Sequence, residues 1–171
     1  IDGNVLNKII EGAGVTKQDK ILEIGPGVGT LTQALARKAG AVTAVEIDRA
    51  LLPILEETLK GLSNVRVLRG DILKLDLNEL IREQFQGSPF KVVANLPYYI
   101  TTPIIMRFLE EEHPFISITV MIQKEVAERM AAGPGTREYG SLSTAVQFFT
   151  CPRILARVPA NAFLPPPKVD S

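Results

Sequence analysis

The chain has one cysteine, Cys151, and one histidine, His113, among its 171 residues. A single thiol closes no internal disulfide, so a cystine-stapled scaffold is excluded. Neither residue has the neighbours of a metal site or a thiol nucleophile. His113, between Glu112 and Pro114, reads as a loop residue, and Cys151 as a passive thiol. No apolar run is long enough to span a bilayer and no signal-peptide pattern opens the sequence, so the cytoplasm is the expected location. Net charge is missing too, because 19 basic and 19 acidic residues cancel. A nucleic-acid partner therefore cannot be argued from the overall field, and any binding face must be local. Its candidates are Lys124 and Arg129 in QKEVAERM, Arg137 and Lys168, with Arg107 a weaker one. Glu125 and Glu128 equally allow an ordinary solvated helix face. There are no internal repeats, and the only biased segments are the loop GPGTREYG and the proline run Pro165 to Pro167.

What is present is an apolar content of 46%, enough for one domain to bury a core without a metal or disulfide. Apolar runs and helical periodicities alternate along the chain, which predicts an α/β fold with a doubly wound, mostly parallel sheet. Strands are expected at Lys20 to Ile24, Ala41 to Glu46, Val65 to Arg69, Lys91 to Asn95, Ser117 to Ile122 and Arg153 to Val158. The clearest helices are Leu31 to Lys38, Ala50 to Leu59, Leu77 to Glu83, Pro103 to Glu111 and Lys124 to Ala131, with Thr102 as the cap before Pro103. Leu142, Ala145, Val146 and Phe149 recur at helical spacing, while Leu142, Thr144, Val146 and Phe148 fit a strand; the helix is favoured.

The first strand runs into Gly25, Gly27 and Gly29 and then into a helix. Glycines there allow close backbone approach to a ligand, and the N–H groups opening the helix face a carboxylate or phosphate. The second strand ends at Glu46, where a ribose presents two hydroxyls. A nucleoside cofactor follows. The turn reads G-x-G-x-G, with Thr30 where a dinucleotide fingerprint has its third glycine, so the turn alone leaves a nicotinamide enzyme open. The third strand is followed by Gly70 and Asp71, a second acid able to accept from an adenine amino group. This combination is similar to class I S-adenosylmethionine-dependent methyltransferases.

The fourth strand ends in Asn95, Leu96, Pro97 and Tyr98. These residues read either as an ordinary turn or as a pocket for an exocyclic amine. The lone pair of such an amine is delocalised into the base. An Asn95 amide oxygen and the Leu96 carbonyl, each accepting one N–H, pull the nitrogen toward a pyramidal geometry and free that pair. Pro97 biases Leu96 to an extended conformation that turns its carbonyl outward, and Tyr98 offers an aromatic face to the base.

Separated motifs fall in one order along nearly the whole chain: EIGPGVGTLT, the acids of VEID and GDIL, NLPYYITTPI, MIQKEVAERM followed by YGSLS, and FLPPPKVDS. In these the chain resembles the small-subunit ribosomal RNA adenine N6,N6-dimethyltransferases of the KsgA type. Enzymes that methylate large-subunit RNA and confer antibiotic resistance share the architecture, but Leu96 with Tyr98 and Tyr99, and AFLPPPKVDS, fit the small-subunit group better. The resemblance implies that Gly25, Gly27 and Gly29 line the methionine end of S-adenosylmethionine, with Glu23 near its ammonium group. It implies that Glu46 takes the ribose hydroxyls, that Ile47 packs on the cofactor adenine, and that Asp71 and the Ile72 backbone read the edge of that ring. Asn95 and Leu96 would hold the target N6 amine, Asn95 also counting among the cofactor-binding residues, with Tyr98 on one face of the flipped adenine and Phe163 on the other.

The implied reaction is direct methyl transfer to adenine N6, performed twice, on two adjacent adenosines, by alignment rather than by a strong base. Its substrate is small-subunit RNA within a pre-ribosomal particle, with a role in small-subunit maturation; a monomer with no metal and no membrane partner is expected. Residues 1–171 would form the methyltransferase catalytic domain, trimmed at both ends. The family's amino-terminal segment would precede Ile1, and a last antiparallel strand near Val169 and a helical carboxy-terminal domain would be missing, leaving the strand at Arg153 to Val158 poorly paired. Two other classes stay open: a non-catalytic ribosome-assembly or nucleic-acid-binding factor, and a nicotinamide-dependent oxidoreductase.

Overall fold

The computed structural model describes residues 2–111, 113–163 and 166–171. In chain order the elements are α1 (Gly3–Gly12), β1 (Lys20–Ile24), α2 (Thr30–Lys38), β2 (Ala41–Glu46), α3 (Leu52–Thr58) and β3 (Val65–Arg69). Then follow α4 (Leu77–Phe85), β4 (Phe90–Asn95), α5 (Thr101–Glu110), β5 (Phe115–Met121), α6 (Lys124–Ala131) and α7 (Ser141–Phe149). Short 3₁₀ turns lie at Arg49–Leu51, Tyr98–Ile100 and Ala160–Ala162. The five strands form one sheet in the order β3-β2-β1-β4-β5, and every pairing is parallel.

Alternation along the strands builds two cores. Leu22 and Ile24 of β1 and Val92 and Ala94 of β4 join α4 and α5 through Leu77, Leu80, Phe85, Ile104 and Phe108. Ile21 and Val93 face the other way, onto Ile10 of α1 and Leu31 and Leu35 of α2. Helices therefore cover both faces, as continuous apolar parallel strands require. At the far end from the strand tips, Lys91 donates to the Gly14 carbonyl (2.7 Å) and to Asp19 (2.9 Å), fastening β4 to the loop between α1 and β1. Burial raises the Asp19 carboxyl, but Lys91 and the N–H and hydroxyl of Thr16 hold it below the ordinary carboxylate value.

The first three strands begin and end where the sequence places them, and the helical alternative for residues 141–149 is the one adopted. Helix α1 is not evident from the sequence. Asp2 caps it by accepting from the Asn4 N–H (2.8 Å), and Val5 and Ile10 are its buried contacts. The Thr102 cap is corrected: α5 begins at Thr101, directly from the 3₁₀ turn, with no side-chain cap. Pro103 is tolerated as its third residue because the first N–H groups of a helix lack intrahelical partners anyway. The expected strand at Arg153 to Val158 does not form. With no strand beside it, this segment is irregular and largely exposed, and Leu155 turns back over Gly12 of α1. Only Val158 pairs, exchanging both backbone hydrogen bonds with Ser171 (2.7 and 2.8 Å), one rung of an antiparallel ladder.

Replacing Lys91 by Met leaves Asp19 mostly buried without its cation and is expected to cost about 2 kcal/mol at neutral pH. The Asp19 value is lowered on folding, so this contribution is present above pH 3.8 and is lost as pH falls through the depressed value. Urea denaturation of both proteins at pH 7 and pH 3 checks it; a gap that persists unchanged at pH 3 contradicts the assignment.

Candidate functional site

The strand order reverses between β1 and β4, and in open parallel sheets the crevice beyond the strand tips at such a reversal is where ligands sit. It brings the glycine turn and the Asn95–Tyr98 turn side by side. A methyl group built on Gly25 would stand 3.9 Å from Cδ of Pro97. Gly25 and Gly29 have φ of +67° and +87°, a region that disfavours side chains, so the turn presents bare backbone to the crevice. Exposed apolar residues ring it: Val28, Ile47 and Tyr99 are 51%, 61% and 83% accessible.

Two acids lie at the tips of neighbouring strands, Glu46 last in β2 and Glu23 last but one in β1, and have different surroundings. Glu46 is buried and satisfied: Oε2 accepts from the Gly27 N–H (3.1 Å), Oε1 from the Asp48 N–H (2.8 Å), and its carbonyl from the Gly70 N–H (2.9 Å). Glu23 is 1% exposed, and its Oε2 has no hydrogen-bond partner among the described residues. Burial pushes its carboxyl up to about 8. The Thr32 hydroxyl opposes the rise, although its oxygen completes no hydrogen bond of ordinary geometry, and the Glu46 carboxylate adds to it. A buried carboxyl with an unpartnered oxygen suits a cationic group.

Asp71 follows β3. Its Oδ1 accepts from the Leu73 N–H (3.0 Å) and its Oδ2 lies 3.6 Å from the Lys74 ammonium. Ile72 is buried beside it. At the β4 tip, the Leu96 side chain is buried and its N–H donates to the Met121 carbonyl (3.1 Å). Neither the Asn95 amide nor the Leu96 carbonyl has a hydrogen-bond partner among the described residues. Tyr98 is half-buried, with its hydroxyl 3.0 Å from that of Ser171. Phe163 packs against the small cluster of Val5, Met121 and Val158; Leu164 and Pro165 of the same motif lie outside the described residues.

The basic candidates divide. Lys124 lies 4.0 Å from Glu128, and Arg129, Arg137 and Lys168 are exposed. Arg107 is corrected: its guanidinium turns inward onto the carbonyls of Ile72 and Leu75. Sequence reasoning missed Thr32, Ser171 and Arg157, which shares Glu128 with Lys124 at 3.6 Å. Only the helical spacing that sets Thr32 one turn behind the glycines offered a signal for any of them.

Two cavities lie elsewhere, about 510 Å³ between α1 and α2 and about 710 Å³ along the free edge of β5. Among the described residues no group of three or more His, Cys, Asp or Glu could hold a metal, and no helix is long and apolar enough to cross a membrane.

A parallel sheet in this order, with a glycine turn after the first strand and an acid ending the second, is a Rossmann-like methyltransferase fold. The family profile described as "Ribosomal RNA adenine dimethylase" matches residues 1–171. Proteins named ribosomal RNA small subunit methyltransferase A from Alkaliphilus oremlandii and Clostridioides difficile are 58% and 54% identical over the full chain. The chain spans 60% and 59% of their respective lengths. A dimethyladenosine transferase from Plasmodium falciparum superposes with a TM-score of 0.81 at 32% identity, over 99% of this chain and 59% of that one. The 23S rRNA methyltransferase ErmE superposes at 0.79, also at 32% identity, over 99% of this chain and 65% of its own. The chain belongs to the ribosomal RNA adenine dimethylase family.

Glu23→Gln tests the site electrostatics. The folded-state value lies above the ordinary 4.5, so the Glu23 contribution to stability is full below pH 4.5 and is lost as pH rises through about 8. Wild type should lose up to about 1.4 kcal/mol per pH unit in that window relative to the glutamine variant. Denaturation midpoints at pH 5 and pH 8 measure this, and parallel profiles for the two proteins contradict it.

Proposed function

We propose that residues 1–171 form the catalytic domain of a small-subunit ribosomal RNA adenine dimethyltransferase, which transfers methyl groups from S-adenosylmethionine to the N6 amines of two adjacent adenosines. The observation that carries the reading is the pair of unpartnered acceptors, the Asn95 amide and the Leu96 carbonyl, beside a glycine turn preceded by a buried Glu23 whose Oε2 has no partner among the described residues. Bound S-adenosylmethionine supplies a methyl group already activated on sulfur. What remains for the protein is alignment and exposure of a lone pair.

Glu23 fits the cofactor ammonium, because a cation satisfies its buried oxygen and returns the carboxyl to its charged form. Gly25, Gly27 and Gly29 give the methionine end close access to backbone. Glu46, held in place by two N–H donors, keeps lone pairs for ribose hydroxyls. Ile47 offers its exposed side chain to the cofactor adenine, and Asp71 with the Ile72 backbone reads the ring edge. Across the crevice, Asn95 and Leu96 hold the two N6 hydrogens and draw the nitrogen out of conjugation. Tyr98 stacks on the flipped base, with its hydroxyl anchored by Ser171, and Phe163 closes the other face. The proton leaves after transfer, when the nitrogen has become cationic, so no strong base is needed.

The RNA reaches this pocket past Lys124, Arg129, Arg137 and Lys168. The Lys124 N–H donates to the Asp170 carbonyl (3.0 Å), which sets the start of α6 beside the segment carrying Lys168 and Ser171 and brings two of these cations toward Tyr98. The substrate is ribosomal RNA within a pre-ribosomal particle in the cytoplasm, with the protein acting as a monomer. Identities of 50 to 58% to small-subunit enzymes favour this over a large-subunit target, which the similar superposition on the 23S rRNA methyltransferase would otherwise allow.

Incubating the full-length protein with unmodified small ribosomal subunits and labelled cofactor, followed by nucleoside mass spectrometry, should yield dimethyladenosine; product on large-subunit RNA alone contradicts the reading. Asn95→Ala should lower kcat about 10²- to 10³-fold, while cofactor affinity by calorimetry stays within about threefold. An unchanged rate refutes the amine pocket, and a cellular phenotype that survives the substitution favours the assembly-factor role.

A further inference from the structure

Arg107 lies in the last turn of α5, its side chain 20% exposed, and three of its donors point into the protein. Nη1 donates to the Ile72 carbonyl (2.5 Å), Nη2 to the Leu75 carbonyl (2.7 Å) and Nε to Glu111 Oε1 (2.8 Å). The other Glu111 oxygen meets Nε2 of His113 at 2.9 Å, and that ring is 3% exposed. Arg107, with His113 on its other oxygen, holds the Glu111 carboxyl below the usual carboxylate range against the opposing effect of burial. The guanidinium is therefore clamped from behind by an acid that is itself held.

Its targets are a single turn of chain. The N–H groups of Lys74 and Leu75 donate to the Asp71 carbonyl (2.8 and 2.9 Å), and the Leu75 side chain folds against Gly70 so closely that a methyl group there would meet it at 2.7 Å. The carbonyls of Ile72 and Leu75 point out of that turn, and a planar fork is the side chain that bridges two such acceptors at once. At its other end, α5 is fastened to the amine-pocket turn, where the Thr101 hydroxyl donates to the Pro97 carbonyl (3.1 Å).

We infer that Arg107 is a positioning residue that sets the loop carrying Asp71 and Ile72 against the helix that begins at the target-amine turn, and so fixes how the cofactor's adenine is read. The inference rests on the proposed roles of Asp71 and Ile72. Methionine replaces much of the packing volume but leaves both carbonyls without a donor, and lysine keeps the charge without the fork that reaches both. The loop then no longer holds one orientation, and the loss falls on adenine recognition rather than on methyl transfer.

The experiment is calorimetric titration of S-adenosylhomocysteine and of its inosine counterpart, in which a carbonyl oxygen on C6 of the base replaces the amine, into the full-length wild type, Arg107→Met and Arg107→Lys. Wild type should prefer the adenine ligand by at least about tenfold. Arg107→Met should bind it about tenfold more weakly, with its preference reduced to within about threefold, and Arg107→Lys should lie between. In turnover, KM for the cofactor should rise by the same factor while kcat falls less than about threefold, a split that general destabilisation would not produce. Unchanged affinity and preference in Arg107→Met overturns the inference. If that variant does not fold, unchanged affinity and preference in Arg107→Lys overturns it equally. A wild type with no preference for adenine sinks the assigned roles of Asp71 and Ile72, and the inference with them.

Discussion

Glu46 is the residue on which the ligand face of this domain depends. Its carboxylate takes the Gly27 N–H from the turn after β1 and the Asp48 N–H from the turn after β2, and its carbonyl takes the Gly70 N–H from the turn after β3. Three connections that would otherwise be independent flexible loops are fastened to the end of one strand. The strand holding Glu46 lies between β1 and β3 in the sheet, so one buried acid can reach both neighbouring tips. Each carboxylate oxygen takes one N–H and keeps a further lone pair, so fastening the turns does not exhaust the acceptor capacity of Glu46.

Glu23 supplies the contrast. It is the last residue but one of β1, pointing to the α2 side of the sheet, and its buried oxygen lacks the donor that Glu46 has twice over. Leaving a polar group unpaired costs folding free energy, and proteins concentrate such costs where a ligand completes the set. The two acids thus differ by environment: one organises the turns, the other is buried with an oxygen left unpartnered among the described residues.

Much of this was legible in the sequence because parallel strands buried on both faces are continuous apolar runs, and LEI, TAVE and VVAN mark their own ends. The positive-φ glycines and the Asn-Leu-Pro-Tyr turn were legible because few residue types tolerate those backbone demands. What escaped depends on partners remote in sequence. Helix α1 is flanked by glycines and takes its stability from Val42 and Leu35 side chains in the second core rather than from propensity. Residues 153–158 have strand composition but no neighbouring strand, and composition cannot create one. Arg107 shows the same limit, since a cation on an amphipathic helix reads as solvated until the two carbonyls it bridges, 32 and 35 residues earlier, are in view.

The absence of net charge gains meaning from this arrangement. Of the cations near the crevice, Arg107 is enclosed by carbonyls and Glu111, whereas Lys124 and Arg157 share the single carboxylate of Glu128. Contacts of 3.6 to 4.0 Å between partly exposed groups are weak and screened by salt, so a phosphate can displace them at little cost.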